Sequence, residues 1–392
     1  MRIALLAPLP PEQTGIADYA AHFQAALQAE GIEVVTPLKG CGADRARTQA
    51  CLDSFDWSQV DLVHAELGGG RLGEFHALRL LRERFPDLPL TATVHDPERL
   101  VWRRASLPWP LSWLEKLPSP LPQFAALLAD PLTLREERQL ARGMTRLVTL
   151  TEAGGRALLR RMRLDTTQHA VIAHGNLPIA KAPLPALQPI KLLYFGFIYR
   201  GKGLEDLLDA MALTLRQQPQ LRGKLRLTLA GGTAPDTAFG PTGNYLEELR
   251  SRARALRLDD CLDWQLNLPA SDIATTIQAH HVMVLPYRES KKLGLLGKMC
   301  GTSGALSWAN ACGRGAITSD ARAFSEEVAS GNGATYEHGN MAALSACIER
   351  LALNPELAEQ WAKCASAIGE ARTWPVTAQR FKQLFASITG GA

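Results

Sequence analysis

Lys202 lies in the run Tyr199-Arg200-Gly201-Lys202-Gly203, just after the apolar stretch Leu192-Leu193-Tyr194-Phe195-Gly196 and just before the helical pattern Leu204 to Met211. A strand that enters a glycine turn and leaves as a helix puts a cation beside backbone N–H groups. The helix dipole at that end also favours an anion. This is phosphate-binding chemistry, although a solvated lysine in a plain turn has the same local sequence.

A second N-terminus of this kind is written in Gly301-Thr302-Ser303-Gly304-Ala305-Leu306-Ser307-Trp308. Thr302 or Ser303 can serve as the N-cap, and the N–H groups of Gly304, Ala305 and Leu306 can hold a phosphate. An ordinary capped helix is the alternative. Upstream, Tyr287-Arg288-Glu289 follows an apolar strand and adds polar and charged groups. In the first half, Thr14-Gly15-Ile16-Ala17-Asp18-Tyr19 follows the first strand and opens a helix. Glycine there allows close approach of backbone to a ligand, and a plain turn is the other reading. His95-Asp96-Pro97 ends an apolar strand. A histidine at that place can bond a sugar hydroxyl or move a proton near neutral pH, and a structural role is its rival. His174 reads as structural.

The elements that must position these residues alternate strand and helix. Arg2 to Ala7, Glu33 to Val35, Val60 to His64, Leu90 to Val94, Arg146 to Leu150 and His169 to Ile172 read as strands. Helical patterns lie between several of them, as at Ile16 to Glu30 and Glu74 to Phe85. Such alternation predicts a parallel sheet covered on both faces. Residues 179–189 are proline-rich and aperiodic and read as a linker. The pattern then restarts, with strands at Lys191 to Phe195, Leu225 to Ala230, Val282 to Pro286 and Gly315 to Thr318. The expected organisation is a first α/β domain over 1–178, a second over 190–370, and a last segment, 371–392, that packs back on the first. Ligands bind beyond the carboxyl ends of strands in such sheets, so the expected site is the cleft between the domains.

Leu100 to Gln139 differs. It carries Trp102, Trp109 and Trp113, five prolines from Pro108 to Pro122, and the cations Arg103, Arg104 and Lys116, with Arg99 just before it. One reading is a peripheral membrane contact through 99–122. The other is an irregular insertion packed on the domain, because prolines so dense argue against a long amphipathic helix.

A net charge of +4 over 392 residues suits anionic ligands and makes no case for nucleic acid. The seven cysteines form no Cys-x-x-Cys pair, and their odd number argues against a disulfide framework. A reducing cytoplasm fits that usage. No stretch approaches the ~18 apolar residues of a membrane span.

Taken together, these motifs resemble the group 1 retaining glycosyltransferases of bacterial cell-envelope polysaccharide type, which have the GT-B fold. The resemblance covers nearly the whole chain and rests on Ala7-Pro8 to Tyr19, Thr93 to Pro97, Leu193 to Phe197 with Gly201-Lys202-Gly203, Val284 to Glu289, and Ser303 to Asp320. It implies two Rossmann-like β/α/β domains, with the last helix crossing back to the first. It implies transfer of a sugar from a UDP- or GDP-linked donor to an acceptor hydroxyl, with no metal and no cofactor beyond the nucleotide sugar. The acceptor would be a glycan or lipid-linked molecule, and the place the cytoplasm, at the inner face of the cell membrane. His95, Lys202 and Gly15 would lie nearest the reacting bond. Arg200, Lys202, Glu289, Thr302, Ser303, Gly304, Ala305, Leu306 and Ser307 would form the donor side. Gly15, Ile16, Asp18, His95 and Asp96 would form the acceptor side.

Two departures stand out. Phe197 occupies the position where many relatives carry an arginine, and Arg200 is the expected substitute. Met299 and Ser307 occupy the positions of a glutamate pair. The alternatives are a GT-B sugar-nucleotide epimerase, a phosphorylase, or a degenerate glycosyltransferase used as a scaffold.

Overall fold

The computed structural model describes residues 1–12, 14–41, 45–101, 111–118, 121–232, 245–289 and 299–390. The chain divides into two units. One comprises Met1–Gly175, Lys291–Thr302 and Trp374–Ala392, the other Asn176–Ser290 and Ser303–Thr373.

The first unit is built on six strands: β1 (Arg2–Leu6), β2 (Glu33–Val35), β3 (Leu62–Leu67), β4 (Leu90–Val94), β5 (Arg146–Thr149) and β6 (His169–Val171). They pair in parallel in the order β2-β1-β3-β4-β5-β6. Every residue of β3 and β4 is buried, as expected of parallel strands covered on both faces. The helices are α1 (Gly15–Ala29), α2 (Arg45–Asp53), α3 (Gly73–Arg84), α4 (Leu121–Gly143) and α5 (Glu152–Met162). Thr14 caps α1 by accepting the Ala17 N–H at 3.1 Å. Because β1, β3 and β4 are neighbours, the loops after them emerge along one sheet edge. Those loops carry Gly15, Gly68 to Gly70 and His95.

The second unit holds β7 (Ile190–Phe195), β8 (Leu225–Gly231), β9 (Leu262–Leu266), β10 (Val282–Leu285), β11 (Gly315–Ser319) and β12 (Gly333–Tyr336). Their order is β12-β11-β10-β7-β8-β9, again parallel. Around them lie α6 (Leu204–Gln217), α7 (Tyr245–Ala255), α8 (Ile273–Gln278), α9 (Gly304–Ala311), α10 (Phe324–Glu327), α11 (Met341–Leu353) and α12 (Glu356–Ala371). The strand order reverses between β7 and β10, the position where open α/β sheets bind ligands. The last helix, α13 (Trp374–Thr389), belongs to the first unit. There Phe381 meets Phe23 of α1 with ring centroids 4.6 Å apart, and Lys382 Nζ donates to the Glu30 carbonyl at 2.7 Å.

Four findings differ from the sequence reading. First, residues 179–189, read as a linker, are held to the second unit rather than left without contacts. Prolines lack N–H groups but keep carbonyls. Arg314 donates to the carbonyls of Ala182 and Pro183, and Gln278 to that of Ala180, which straps the segment to the second unit. Second, the proline-rich stretch is followed by a long helix, the 23-residue α4. Pro122 falls in its first turn, where no N–H is needed, and Pro131 sits on an exposed position inside it. Third, Arg99 is not a surface cation. It is 7% exposed and donates to Glu137 and Thr133, with Asp130 as a further partner. Trp102, Trp109, Arg103 and Arg104 lie outside the described residues. Fourth, Cys41 and Cys51 are bridged, leaving five free thiols. Cysteine usage therefore gives no argument for a reducing compartment. Among the described residues no helix is long and apolar enough to cross a membrane.

Candidate active site

The turn that carries Lys202 is fixed by sterics. Gly203 sits at φ 71° as the N-cap of α6, and a Cβ there would come within 1.7 Å of the Pro286 carbonyl oxygen. Only glycine fits this approach. The Arg288 N–H donates to the Gly201 carbonyl at 3.1 Å, so the end of β10 holds the turn a second time. The result is that Lys202 Nζ stands 3.6 Å from the centroid of the Tyr287 ring and 5.1 Å from that of Tyr199. Both contacts are in cation–π range. Tyr287 is buried, and its hydroxyl shares a 3.1 Å hydrogen bond with the Ser303 hydroxyl. Burial pushes its ionisation up. The Lys202 charge and hydrogen bond, the Ser303 bond and the Arg322 charge outweigh that and hold it below the ordinary tyrosine range.

Ser303 is the backbone N-cap of α9, but its side chain makes no cap bond. The first-turn N–H groups of Gly304 and Ala305 thus have neither an intrahelical partner nor the cap side chain. Leu306 and Ser307 N–H both turn back to the Ser303 carbonyl. The Ser307 hydroxyl donates to Asn176 Oδ1, a structural bond within the second unit. Thr302 and Gly301 belong to the first unit, where a Cβ on Gly301 would lie 2.5 Å from the His95 carbonyl oxygen.

Arg200 and Glu289 occupy places different from those expected. Arg200 is exposed, bonded to both carboxylate oxygens of Glu248 at 2.7 and 2.6 Å and set over the Tyr245 ring. Glu289 accepts the backbone N–H of Arg322 at 2.9 Å. Arg322, not singled out in the sequence, follows β11 at φ 58°, an uncommon backbone region for a non-glycine residue. Its guanidinium carbon lies 5.6 Å from the Tyr287 ring centroid. Lys202, Tyr287 and Arg322 thus come from the ends of β7, β10 and β11, three neighbours in one sheet. Phe197, at the position of the missing arginine, is 41% exposed.

In the first unit, Gly15 opens α1 with nothing within 4 Å of its Cβ position, so no crowding demands glycine there. Ile16 and His95 close on Gly68: a Cβ on Gly68 would be 2.9 Å from Ile16 Cδ1 and from His95 Cβ. Asp96 Oδ2 accepts the Gly69 N–H at 2.9 Å and holds this glycine loop. Asp18 is exposed in the first turn of α1, the favourable end for an acid. The His95 ring meets Tyr19 edge-on, centroids 4.8 Å apart. His174 and Trp374 meet the same tyrosine ring, each at 5.0 Å.

Sequence reasoning missed Glu66. It is fully buried, and its Oε2 accepts from His95 Nε2 at 2.8 Å. The strand was expected to stop at His64; β3 runs on to Leu67 and carries this carboxylate inside. The alternation His64, Glu66 opposite Thr91, Thr93 was the available signal, since residues two apart share a face.

Residues 179–367 match the model of the family described as Glycosyl transferases group 1. No curated protein matches the chain. Among solved structures, sucrose-phosphate synthase from Thermosynechococcus elongatus superposes with a TM-score of 0.74 at 18% identity, covering 100% of both chains. HepE of Anabaena, solved in complex with UDP, superposes at 0.68 with 17% identity, over 99% of this chain and 100% of its own. A glycosyltransferase from Rickettsia africae gives 0.66 at 12% identity, over 100% and 99%. The two parallel six-stranded sheets with their helices are the GT-B architecture.

Proposed function

We propose, from the match of residues 179–367 to the model of the group 1 glycosyl transferases, that the protein transfers a sugar from a nucleotide diphosphate sugar to an acceptor hydroxyl with retention of configuration. The observation that carries this reading is the convergence of Lys202 and Arg322 on the Tyr287 ring, next to the N-terminus of α9 that Ser303 opens. Two cations and a helix N-terminus suit a diphosphate. UDP, bound in the Anabaena structure, and GDP are the donor carriers of this reading.

In the reaction, the bond from the anomeric carbon to the diphosphate oxygen breaks, and its electron pair stays with the leaving oxygen. The acceptor oxygen bonds the same face of the sugar, and its proton passes to the leaving phosphate. Lys202, Arg322 and the α9 amides neutralise the charge that grows on the diphosphate, which is the kind of stabilisation that lowers barriers most. His95 orients the transferred sugar.

A melting screen against UDP, GDP, ADP and dTDP tests this directly, since a ligand at a hundredfold excess over Kd stabilises by ~2.7 kcal/mol. With the diphosphate that binds, Arg322→Ala is expected to weaken affinity about 10- to 100-fold, the value of a charge-assisted contact. Arg200→Ala is expected to leave it unchanged, because Arg200 serves Glu248. The reverse order would move the second cation to Arg200. Failure of every diphosphate to shift the melt would remove the donor reading.

We further infer that the acceptor side meets a membrane, and that α4 extends the contact expected of 99–122, where Trp113 is 66% exposed. Leu121, Phe124, Leu128 and Leu132 are exposed at 45%, 60%, 70% and 55% and fall on one helical face. Arg135 and Arg142, both exposed, continue that face. An apolar stripe followed by cations suits an anionic lipid surface. The protein is expected to float with vesicles containing anionic lipid, and Phe124→Ser with Leu128→Ser to stay in solution. Equal behaviour of the two proteins would sink this surface.

A further inference from the structure

The carboxylate under His95 belongs to a polar ladder inside the first unit. β3 and β4 pair His64 with Thr91 and Glu66 with Thr93, and the His95 N–H extends the ladder by donating to the Leu67 carbonyl at 2.8 Å. His64, Glu66, Thr91 and Thr93 are all 0% exposed. Buried polar groups are costly unless paired, so the hydrogen bonds here limit where the protons can sit. The Thr91 hydroxyl donates to the Val63 carbonyl at 3.0 Å, so it accepts from His64 Nδ1 at 2.9 Å. His64 Nε2 meets the Thr93 hydroxyl at 3.0 Å and lies 3.4 Å from Glu66 Oε1. Phe23, Phe381 and Phe385 close around the His64 ring with centroids 5.3 to 5.4 Å away, which keeps the inner end dry.

At the outer end the geometry is decisive. Burial pushes the Glu66 carboxyl up, but its hydrogen bonds to His64 and His95, joined by their charges whenever those rings are protonated, outweigh that and hold it below the ordinary range. An ionised carboxylate only accepts, so the 2.8 Å contact requires the proton on His95 Nε2. When the ring carries that single proton, Nδ1 is its acceptor. The Tyr19 ring, edge-on at 86°, restrains the imidazole from the side. The His95 side chain keeps 13% exposure, whereas Glu66 has none, so ligand reaches the histidine and not the carboxylate.

We propose that Glu66 is a positioning residue that fixes the tautomer and orientation of His95, so that Nδ1 accepts a hydrogen bond from a hydroxyl of the transferred sugar. This rests on the reading of His95 as the sugar contact. It also narrows the donor: the sugar must bring a free hydroxyl to that nitrogen, and a deoxy analogue at that carbon leaves it unpaired. Orientation of a histidine by a buried carboxylate is an effective device because the wrong tautomer cannot make the productive bond.

The test uses the full chain labelled with ¹⁵N-histidine, at a pH where the rings are neutral, with His95→Gln identifying the His95 signal. Wild type is expected to carry the His95 proton on Nε2. Glu66→Gln, whose amide can either accept from or donate to Nε2, is expected to give a mixture of tautomers. Its kcat/KM should fall about 10- to 100-fold, while its affinity for the nucleoside diphosphate that the melting screen selects stays at the wild-type value. A wild-type proton on Nδ1 overturns the proposal, and that measurement decides the matter should Glu66→Gln fail to fold. An unchanged Glu66→Gln beside a crippled His95→Gln overturns it alone. Full transfer by His95→Gln overturns the sugar-contact reading and this proposal with it.

Discussion

Replacing Lys202 with alanine is expected to lower kcat/KM at least ~10²-fold, as removal of one preorganised charge-stabilising group does. The physical reason lies in how little freedom the ammonium has. It sits 3.6 Å from the face of a buried tyrosine whose hydroxyl is bonded to Ser303. A charge preplaced at that distance reorganises little when the leaving diphosphate acquires its own, and so acts on the barrier rather than on binding alone. The measurement is release of nucleoside diphosphate from whichever nucleotide sugar the melting screen selects. The loss is expected mainly in kcat, with a smaller rise in KM. Turnover near the wild-type rate would sink the assignment of Lys202. A pure rise in KM would make it a binding residue only. Pyrophosphate, which has no base or sugar, should lose affinity in the same variant, and this arm needs no knowledge of the acceptor.

Gly203→Ala is expected to be the most damaging single-methyl change at the site. An alanine at φ 71° is strained by about 1–3 kcal/mol. Its Cβ would also lie 1.7 Å from the Pro286 carbonyl oxygen, and backbone cannot yield as a side-chain tip can. Forcing the turn away from β10 costs about 1–3 kcal/mol more. It also draws Lys202 off the Tyr287 ring, so stability and diphosphate affinity fall together. Gly201→Ala is the matched control. Gly201 has φ 95° but nothing within 4 Å of its Cβ position, so it should show the strain alone. Urea unfolding and diphosphate calorimetry on both variants check this. Equal losses in the two would mean that the Pro286 contact is not what fixes the turn.

The GT-B architecture was legible because parallel strands covered on both faces must be short apolar runs, and β1, β4, β7, β8 and β10 are written that way. β9 and β12 were not, since Leu262-Asp263-Trp264-Gln265-Leu266 and Gly333-Ala334-Thr335-Tyr336 lie toward the ends of the sheet and mix polar with apolar residues. The helix α4 was hidden by the prolines before it. Proline stops a helix only where an N–H is needed, and at Pro122 none is.

What the sequence determined by itself was the set of local devices: a lysine in a glycine turn at Gly201 to Gly203, a helix opening at Ser303, and a histidine ending β4. Each is a matter of a few consecutive residues, and local sterics and hydrogen bonding decide it. What only the tertiary structure decided is which groups those devices face. Arg322 stands 120 positions after Lys202 in the chain and reaches the same ring because β7, β10 and β11 are neighbours. Arg200, two residues from Lys202, is turned to Glu248. Glu66 lies 29 positions before His95 and meets it because the register of β3 on β4 sets them on one face. Partnership across a sheet depends on strand order and register, and neither is written in any short stretch of the chain.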